Sequence, residues 1–243
     1  SDLPAGLKAQ VYATLNMLFV VPVDRLAASE AVLGLKHMVV GGAGRFHKGG
    51  YGQVAEVAAE VVVERGGVFL PSTRVRRVIV ETYAAGKGRA VGVETDKGTF
   101  RAPVVISNAG IQPTVLKLVG AEHFPAHYVE RVQELEPSWA IAGIRYVLDE
   151  RIFDAALIPV FADDSWLDSE RFAAMERGEW PEVPLIAIDV ASEFDESMVA
   201  VPGHQVANIQ VFVSADPDSS MGEDAVRRAR EVLDELYPTL RAH

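Results

Sequence analysis

The chain has 243 residues, 49% of them hydrophobic, which allows one large domain or two small ones with a substantial core. Its 34 acidic and 23 basic residues give a net charge of −11, which repels phosphate backbones and argues against nucleic acid as a partner. No cysteine is present, so disulfides and thiolate metal sites are excluded. The longest apolar runs, at 18–23 and 139–144, are too short to span a bilayer.

The first part of the chain predicts helices. Helical pieces fill the first forty residues, with breaks at Pro22 and Gly34, and a glycine-rich turn then leads into a second helical segment at 54–63. In that segment Glu56 and Glu60 are the only polar residues, and both lie on one narrow stripe. Such a narrow polar stripe predicts a largely buried helix.

The remaining patterns predict strands and one strong helix. Short apolar segments predict strands at 67–70, 75–81, 90–96 and 104–107, and turn formers separate them at 85–88 and 96–98. Further strands are predicted at 139–148, 185–190 and 206–213, and an amphipathic helix follows, with a capping-box pattern at Ser220 and Glu223. We therefore expect a mixed α/β (α+β) fold, in which a mixed or antiparallel sheet is covered by helices.

Arg145 is the only charged residue of the strand at 139–148, which predicts a central strand covered on both faces. An unpaired charge is costly to bury, so Arg145 should be paired or should point into a cavity. We therefore include it among the candidate substrate-binding residues.

One stretch of the chain, from Phe46 to Gly110, carries an ordered set of motifs. It runs FHKGGYG before the helix, STRVRRVIV after it, and VVISNAG at its end. This order resembles the phytoene desaturase, carotenoid isomerase and retinol saturase-like group of FAD-dependent oxidoreductases. A looser resemblance continues through Phe194-Asp195-Glu196-Ser197 and Val201-Pro202-Gly203-His204, and it weakens between 151 and 180.

Two flavin motifs of that family are not found in the sequence. No strand followed by G-x-G-x-x-G opens the chain, and no Gly/Pro-rich flavin-closing motif ends it. We interpret the chain as a central fragment of a larger flavoenzyme, colourless and inactive by itself. The resemblance implies that 1–66 and 108–243 form the substrate-binding domain and that 67–107 form a small β lobe of the FAD-binding domain.

The resemblance also implies the chemistry of the parent protein. The cofactor would be FAD, and the substrate an apolar isoprenoid or polyene, such as a carotenoid, that undergoes desaturation, saturation or isomerisation. Flavin performs such redox chemistry itself, so no catalytic residue is assigned. The resemblance implies a cytoplasmic protein, and peripheral contact with a membrane is a further expectation.

By the same resemblance, four residues are candidates for cofactor binding. The main chain of Val75 would contact the adenine, and Ser107, Asn108 and Ala109 would cross beneath the flavin. Without the resemblance, Val75 is a plain edge-strand residue and Asn108 is a helix cap.

The candidates for substrate binding are Lys48, Gly49, Gly50 and Tyr51, which would lie near the substrate cavity, together with Arg145. Taken alone, the glycine-rich segment is a structural turn. A phosphate-binding loop is disfavoured there, because the following strand ends in Pro71-Ser72 without an acidic residue.

Two other functional classes stay open from the sequence. The chain could be a non-catalytic module that binds an apolar ligand or a protein, or a segment of an amine-oxidase-like flavoenzyme. A metal site is not predicted: His123 and His127 flank Pro125, and no Glu follows His123 as a zinc-protease helix requires. The acidic pairs at Asp163-Asp164 and Asp216-Pro217-Asp218 are expected to be solvated loops.

Overall fold

The computed structural model describes residues 4–42, 47–83, 88–216 and 218–242. Phe46, the turn residues Gly86 and Lys87, and Pro217 lie outside these described residues. The chain divides into two compact units, one made of Ser1–Ala58 with Ser138–His243 and the other of Ala59–Pro137. The predicted β lobe at 67–107 lies within the second unit, and the roles assigned to the domains remain predictions.

The elements confirm the predicted α+β class. The helices are α1 (Ala5–Phe19), α2 (Ala28–Gly41), α3 (Gly50–Glu64), α4 (Ile111–Pro113), α5 (Ala126–Gln133), α6 (Ser169–Glu176), α7 (Ala191–Phe194) and α8 (Met221–Leu236). A π-helical stretch, Thr114–Val119, continues α4. The strands are β1 (Val75–Thr82), β2 (Gly88–Thr95), β3 (Gly98–Arg101), β4 (Ala140–Leu148), β5 (Leu157–Val160), β6 (Ile186–Val190) and β7 (Gln205–Val213). None of the helices in the described ranges is long and apolar enough to cross a membrane.

The first unit is built on a four-stranded antiparallel sheet in the order β4-β7-β6-β5. One face of this sheet carries the core. Ile188 and Ile209 point into it, and Ala225, Ala229 and Leu233 of α8 pack there with almost no exposure. Burying a large aliphatic side chain contributes roughly 1.5–3 kcal/mol, so this sheet–helix layer is the main source of stability in the unit.

The strand β4 differs from its prediction. It lies at an edge of the sheet, and its side chains alternate between half-buried and exposed instead of being covered on both faces. Val147 is 70% exposed and Ile141 is 50% exposed, and Arg145 is exposed between them. The prediction was wrong because small and β-branched residues suit an open strand face as well as a buried one. Apolar composition therefore does not show whether other elements cover the strand.

The helix α8 forms where its pattern predicts, but its start differs in detail. Ser220 has helical backbone angles and its side chain makes no capping bond. The hydroxyl of Ser219 instead accepts a hydrogen bond from the amide of Met221, at 3.2 Å. The predicted capping box is therefore not formed.

The second unit contains the antiparallel sheet β1-β2-β3. Its strands confirm the predictions at 75–81 and 90–96. The exposed ion pairs Arg77–Glu94 and Arg101–Glu81, each at 2.8 Å, link neighbouring strands on its surface.

Two predicted strands, at 67–70 and 104–107, do not form. Neither segment is assigned to a sheet, and Val68 is 76% exposed and Ile106 is 91% exposed. A strand requires a neighbouring strand to pair its backbone groups, and within the described ranges neither segment pairs with one.

The helix α3 is also less buried than predicted. Gly50 is its only buried residue, and the valines on its apolar side are exposed. The residues on both sides of the narrow polar stripe form an apolar surface, and no element of the described chain covers that surface.

Candidate functional site

Two motif segments that are far apart in sequence meet in the first unit. The amide of Gly49 donates a hydrogen bond to Asp195 Oδ2 at 2.6 Å, across a separation of 146 residues. Asp195 Oδ1 also accepts a bond from the amide of Ser197 at 3.0 Å. The Gly49 bond, then the Ser197 bonds, lower the pKa of Asp195 below its usual value, so this carboxylate is charged at neutral pH.

The glycines of this turn are required by its geometry. Gly49 and Gly50 both have φ of 78°, in the left-handed region that side chains disfavour. A Cβ atom on Gly50 would also lie 2.9 Å from Met198 Cε. The amide of Gly50 donates to the carbonyl of His47 at 2.8 Å, which closes the turn before α3 begins.

The two larger side chains of the turn point away from the core. Tyr51 is exposed, and its ring contacts His47 edge-on, with ring centres 5.6 Å apart. Lys48 is exposed, and its positive charge also favours the charged form of Asp195. Three of the four predicted substrate-binding residues of this segment therefore lie close to the segment that contains Asp195, namely Lys48, Gly49 and Gly50.

A cavity of about 560 Å³, lined by both polar and apolar residues, lies around that same segment. The charged and polar side chains Arg151, Glu193, Asp195, Glu196 and His204 take part in its lining. Arg151 Nη2 and Glu193 Oε2 form an ion pair at 2.6 Å. The cavity therefore offers charged and hydrogen-bonding groups beside apolar ones such as Phe194 and Val199, whereas the resemblance implies an apolar substrate.

Gln205 anchors the base of this cavity. It is 1% exposed, and its side-chain oxygen accepts bonds from the amides of Ile152 and Phe153, at 2.9 and 3.0 Å. Its side-chain nitrogen donates to the carbonyl of Phe153 and to Glu193 Oε1, both at 2.7 Å. Because every polar atom of this buried amide is satisfied, Gln205 fixes the path of the chain that follows β4.

Arg145 belongs to a different part of the unit. It lies on the outward face of the sheet, and its Nε donates to Asn208 Oδ1 of β7 at 2.7 Å. In the next strand of the same face, Asp189 accepts a bond from Gln210 Nε2 at 2.6 Å. Partial burial raises the pKa of Asp189, and the Gln210 bond partly opposes that shift. The hydrogen bonds thus join Arg145 to β7 and not to the turn at Gly49.

The predicted cofactor-binding residues all lie in the second unit. Val75 begins β1 and is partly exposed, opposite Thr95 of β2. Ser107 Oγ shares a hydrogen bond with Thr114 Oγ1 at 2.7 Å and accepts a second from the amide of Ala109 at 3.4 Å. Asn108 does not cap the following helix, because α4 begins at Ile111 with Gly110 before it. The cofactor roles of these residues remain predictions.

The partners of several residues of the site are not predictable from the sequence. Asp195 belongs to a segment that predicts only a turn, and no spacing rule links it to Gly49. Gln205, Asn208 and Asp189 are single polar residues in or beside strands, and their partners depend on strand register. Among the described residues, no group of three His, Asp or Glu side chains could hold a metal ion.

Comparison with known proteins gives distant relatives. Pyridine nucleotide-disulfide oxidoreductase domain-containing protein 2 of Mus musculus is 26% identical to this chain, over 77% of the chain and 38% of the mouse protein. The protein of the same name from Rattus norvegicus is 24% identical, over 76% of the chain and 37% of the rat protein. The chain is thus distantly homologous to these proteins and spans about 38% of the length of the mouse relative.

The fold also occurs in a solved structure. The crystal structure of the PF1083 protein from Pyrococcus furiosus matches 96% of this chain and 51% of that chain with a TM-score of 0.63, at 20% sequence identity. This similarity shows a shared fold. No family model matches the chain.

Proposed function

We propose that these 243 residues are part of an FAD-dependent oxidoreductase. In this proposal the unit Ala59–Pro137 supplies one wall of a flavin-binding domain, and the other unit binds the substrate. The distant relatives carry an oxidoreductase domain in their names, and the chain aligns with them over most of its length. The rest of the flavin site would be contributed by polypeptide outside residues 1–243.

The observation that carries this proposal is the unpaired apolar surface of the second unit. The segments 67–70 and 104–107 have the composition of buried strands, yet both are exposed and outside any sheet in the described chain. Short, wholly apolar runs are typical of parallel strands that are covered on both faces. Dinucleotide-binding domains are built on such parallel sheets, so addition of these segments to one would bury them.

The residues present suit one side of a flavin site. Ser107, Asn108 and Ala109 are small and exposed, so the backbone there can approach a large planar group closely. The main chain of Val75 would meet the adenine portion. Bound FAD supplies the transfer of hydrogen, while the role of these residues is to position it.

The substrate in this proposal has an apolar, polyene-like body. Its support is the outward face of the larger sheet, where Ile141 and Val147 are exposed on the edge strand β4 and Leu157 is exposed on the opposite edge strand β5. Desaturation, saturation or isomerisation would then proceed against the flavin, with no acid–base group required from the chain.

Flavin content tests the proposal. The 243-residue chain and the full-length gene product that contains it are purified, and flavin absorbance is measured before and after denaturation. We expect a colourless chain and a yellow full-length protein with stoichiometric FAD. A stoichiometric flavin on the chain alone, or no flavin on the full-length protein, contradicts the proposal.

A pair of variants in the full-length protein locates the flavin. Ala109→Leu places a larger side chain where the cofactor is expected, so it should lower flavin content. Ala102→Leu adds the same side chain at another exposed position of the same unit, and flavin should be retained. Equal flavin content in both variants would show that Ala109 does not contact the cofactor.

A further inference from the structure

The outward face of the larger sheet contains a row of side chains that crosses all four strands. Arg145 of β4 pairs with Asn208 of β7, Asn208 with Asp189 of β6, and Asp189 with Leu157 of β5. Residues that are directly opposite on antiparallel strands have side chains on the same face. The four side chains therefore lie on one face in a line perpendicular to the strands.

The guanidinium of Arg145 is held in place with its outer edge open. Its Nε donates to Asn208 Oδ1 at 2.7 Å, which fixes the plane of the group. In the described part of the chain, the two terminal nitrogens of Arg145 have no acceptor and no ion-pair partner. A guanidinium oriented in this way presents two parallel N–H groups, the arrangement that binds a carboxylate in bidentate fashion.

Along β4 the neighbours of Arg145 on this face are apolar, whereas across the sheet the face is polar at Asn208 and Asp189. Val147, 70% exposed, is the next residue of β4 on this face, and Ile141, 50% exposed, lies on the other side of Arg145 beyond Gly143. Two exposed aliphatic side chains on either side of a lone cation give an apolar ligand contacts along β4. The ligand should therefore combine an apolar body with a group that Arg145 recognises.

We propose that this face binds a carboxylate attached to an apolar body, with the carboxylate on the terminal nitrogens of Arg145. Asp189 lies on the same face, two strand spacings or about 10 Å from Arg145 in backbone position. Its negative charge disfavours more highly charged anions such as phosphate and leaves a monoanion as the better match. The proposal rests on the proposed function, in which this unit binds the substrate, and it adds that the substrate is an apolar acid.

Paired probes test this inference on the 243-residue chain. The fluorescent polyene fatty acid cis-parinaric acid and its methyl ester have the same apolar body and differ in the charge of the head group. We expect the acid to bind on the order of ten times more tightly than the ester, because only the acid can form charge-assisted bonds to Arg145. The assay requires no flavin, so its failure leaves the flavin test unaffected.

Variants assign the preference to Arg145. Arg145→Met should remove the preference for the acid and leave the affinity for the ester within about twofold, since the stem of the side chain is kept. Arg77→Met removes an exposed arginine from β1 and should leave the preference unchanged. Asn208→Ala frees the guanidinium to rotate, so it should reduce the preference without changing the affinity for the ester.

Several results overturn the inference. These are equal affinities for acid and ester in the unmodified chain, absence of binding of both probes, or a preference that survives in Arg145→Met. Sedimentation supplies a further check, because a dimer that Val147→Lys dissociates would show that a second copy covers this face. Circular dichroism of each variant confirms that the fold is retained.

Discussion

Gly50 shows how a single residue can fix the turn at which the candidate site begins. Its φ of 78° lies in the left-handed region, where a side chain costs about 1–2 kcal/mol. Met198 fills the space that a Cβ atom would need. We expect Gly50→Ala to lower the free energy of unfolding by about 1–2 kcal/mol in urea titrations.

Gly52 is the matched control for this substitution. It lies two residues further along, inside α3, with ordinary helical angles and open space where a Cβ atom would point. Gly52→Ala should raise the free energy of unfolding by up to about 1 kcal/mol, because alanine favours a helix over glycine. A loss of stability in both variants would mean that the turn is not formed as described.

Asp189 and Asp195 have pKa values shifted in opposite directions, which gives opposite effects on stability. The raised pKa of Asp189 means that its charge is disfavoured in the fold, so its contribution to stability falls as the pH rises from 3.8 towards the raised pKa. The lowered pKa of Asp195 means that its charge is favoured, so its contribution is present above pH 3.8 and is lost as the pH falls through the lowered pKa.

Neutral substitutions at the two positions test this assignment. At pH 7, Asp189→Asn should raise the free energy of unfolding and Asp195→Asn should lower it, since each removes the charge. Both differences from the unmodified chain should shrink as the pH falls towards 3, where the carboxyl groups of the unfolded chain are protonated. Denaturant unfolding at a series of pH values checks the signs, and the same sign at both positions would refute the assignment.

At the scale of elements, local patterns were sufficient for most of the fold. The strand β4 is predicted at 139–148 and observed at Ala140–Leu148, and α8 forms over its apolar stripe. These elements follow from their own sequence periods of two and 3.6 residues. The position of β4 in the sheet does not, because strand order depends on which segments pair at long range.

The helix α3 and the segments 67–70 and 104–107 show a different limit of the sequence. Their apolar patterns predict buried elements, and the structure leaves them exposed. An apolar pattern indicates that a surface is suited to burial, but it does not identify what buries it. Where the cover is not part of the described chain, the prediction of burial is wrong even though the pattern is clear.

The candidate site was predictable only in part. Glycines at 49 and 50 indicate a special turn from sequence, because left-handed backbone favours glycine. The contact of that turn with Asp195 depends on the fold of the intervening 146 residues. Arg145 stands out from sequence as a lone charge in an apolar strand, whereas its partner Asn208 is set by the register of β4 and β7.

At the scale of the whole molecule, the second unit combines much exposed apolar surface with a small buried core. Exposed ion pairs link neighbouring strands of its sheet β1-β2-β3, and such pairs contribute little to stability. The unit buries few large side chains, Val78 and Val115 among them. Much of its apolar surface lies instead on the segments beside the sheet, and the proposed function explains this by contact with the rest of a flavin-binding domain.

Ile106 allows a direct test of that interpretation. It is 91% exposed, so Ile106→Lys should change the free energy of unfolding of the 243-residue chain by no more than about 0.5 kcal/mol. Under the proposed function, the same position is buried in the flavin-binding domain of the full-length gene product. The lysine charge would then be costly, and the variant should lose its flavin.

Val78→Lys is the control for a position that is already buried in the chain. It should destabilise the 243-residue chain strongly, because a charge enters the core of β1 without a partner. If Ile106→Lys instead retains stoichiometric flavin in the full-length protein, the segment 104–107 remains at the surface there. The exposed apolar segments would then serve another purpose, and the observation that carries the proposed function would no longer support it.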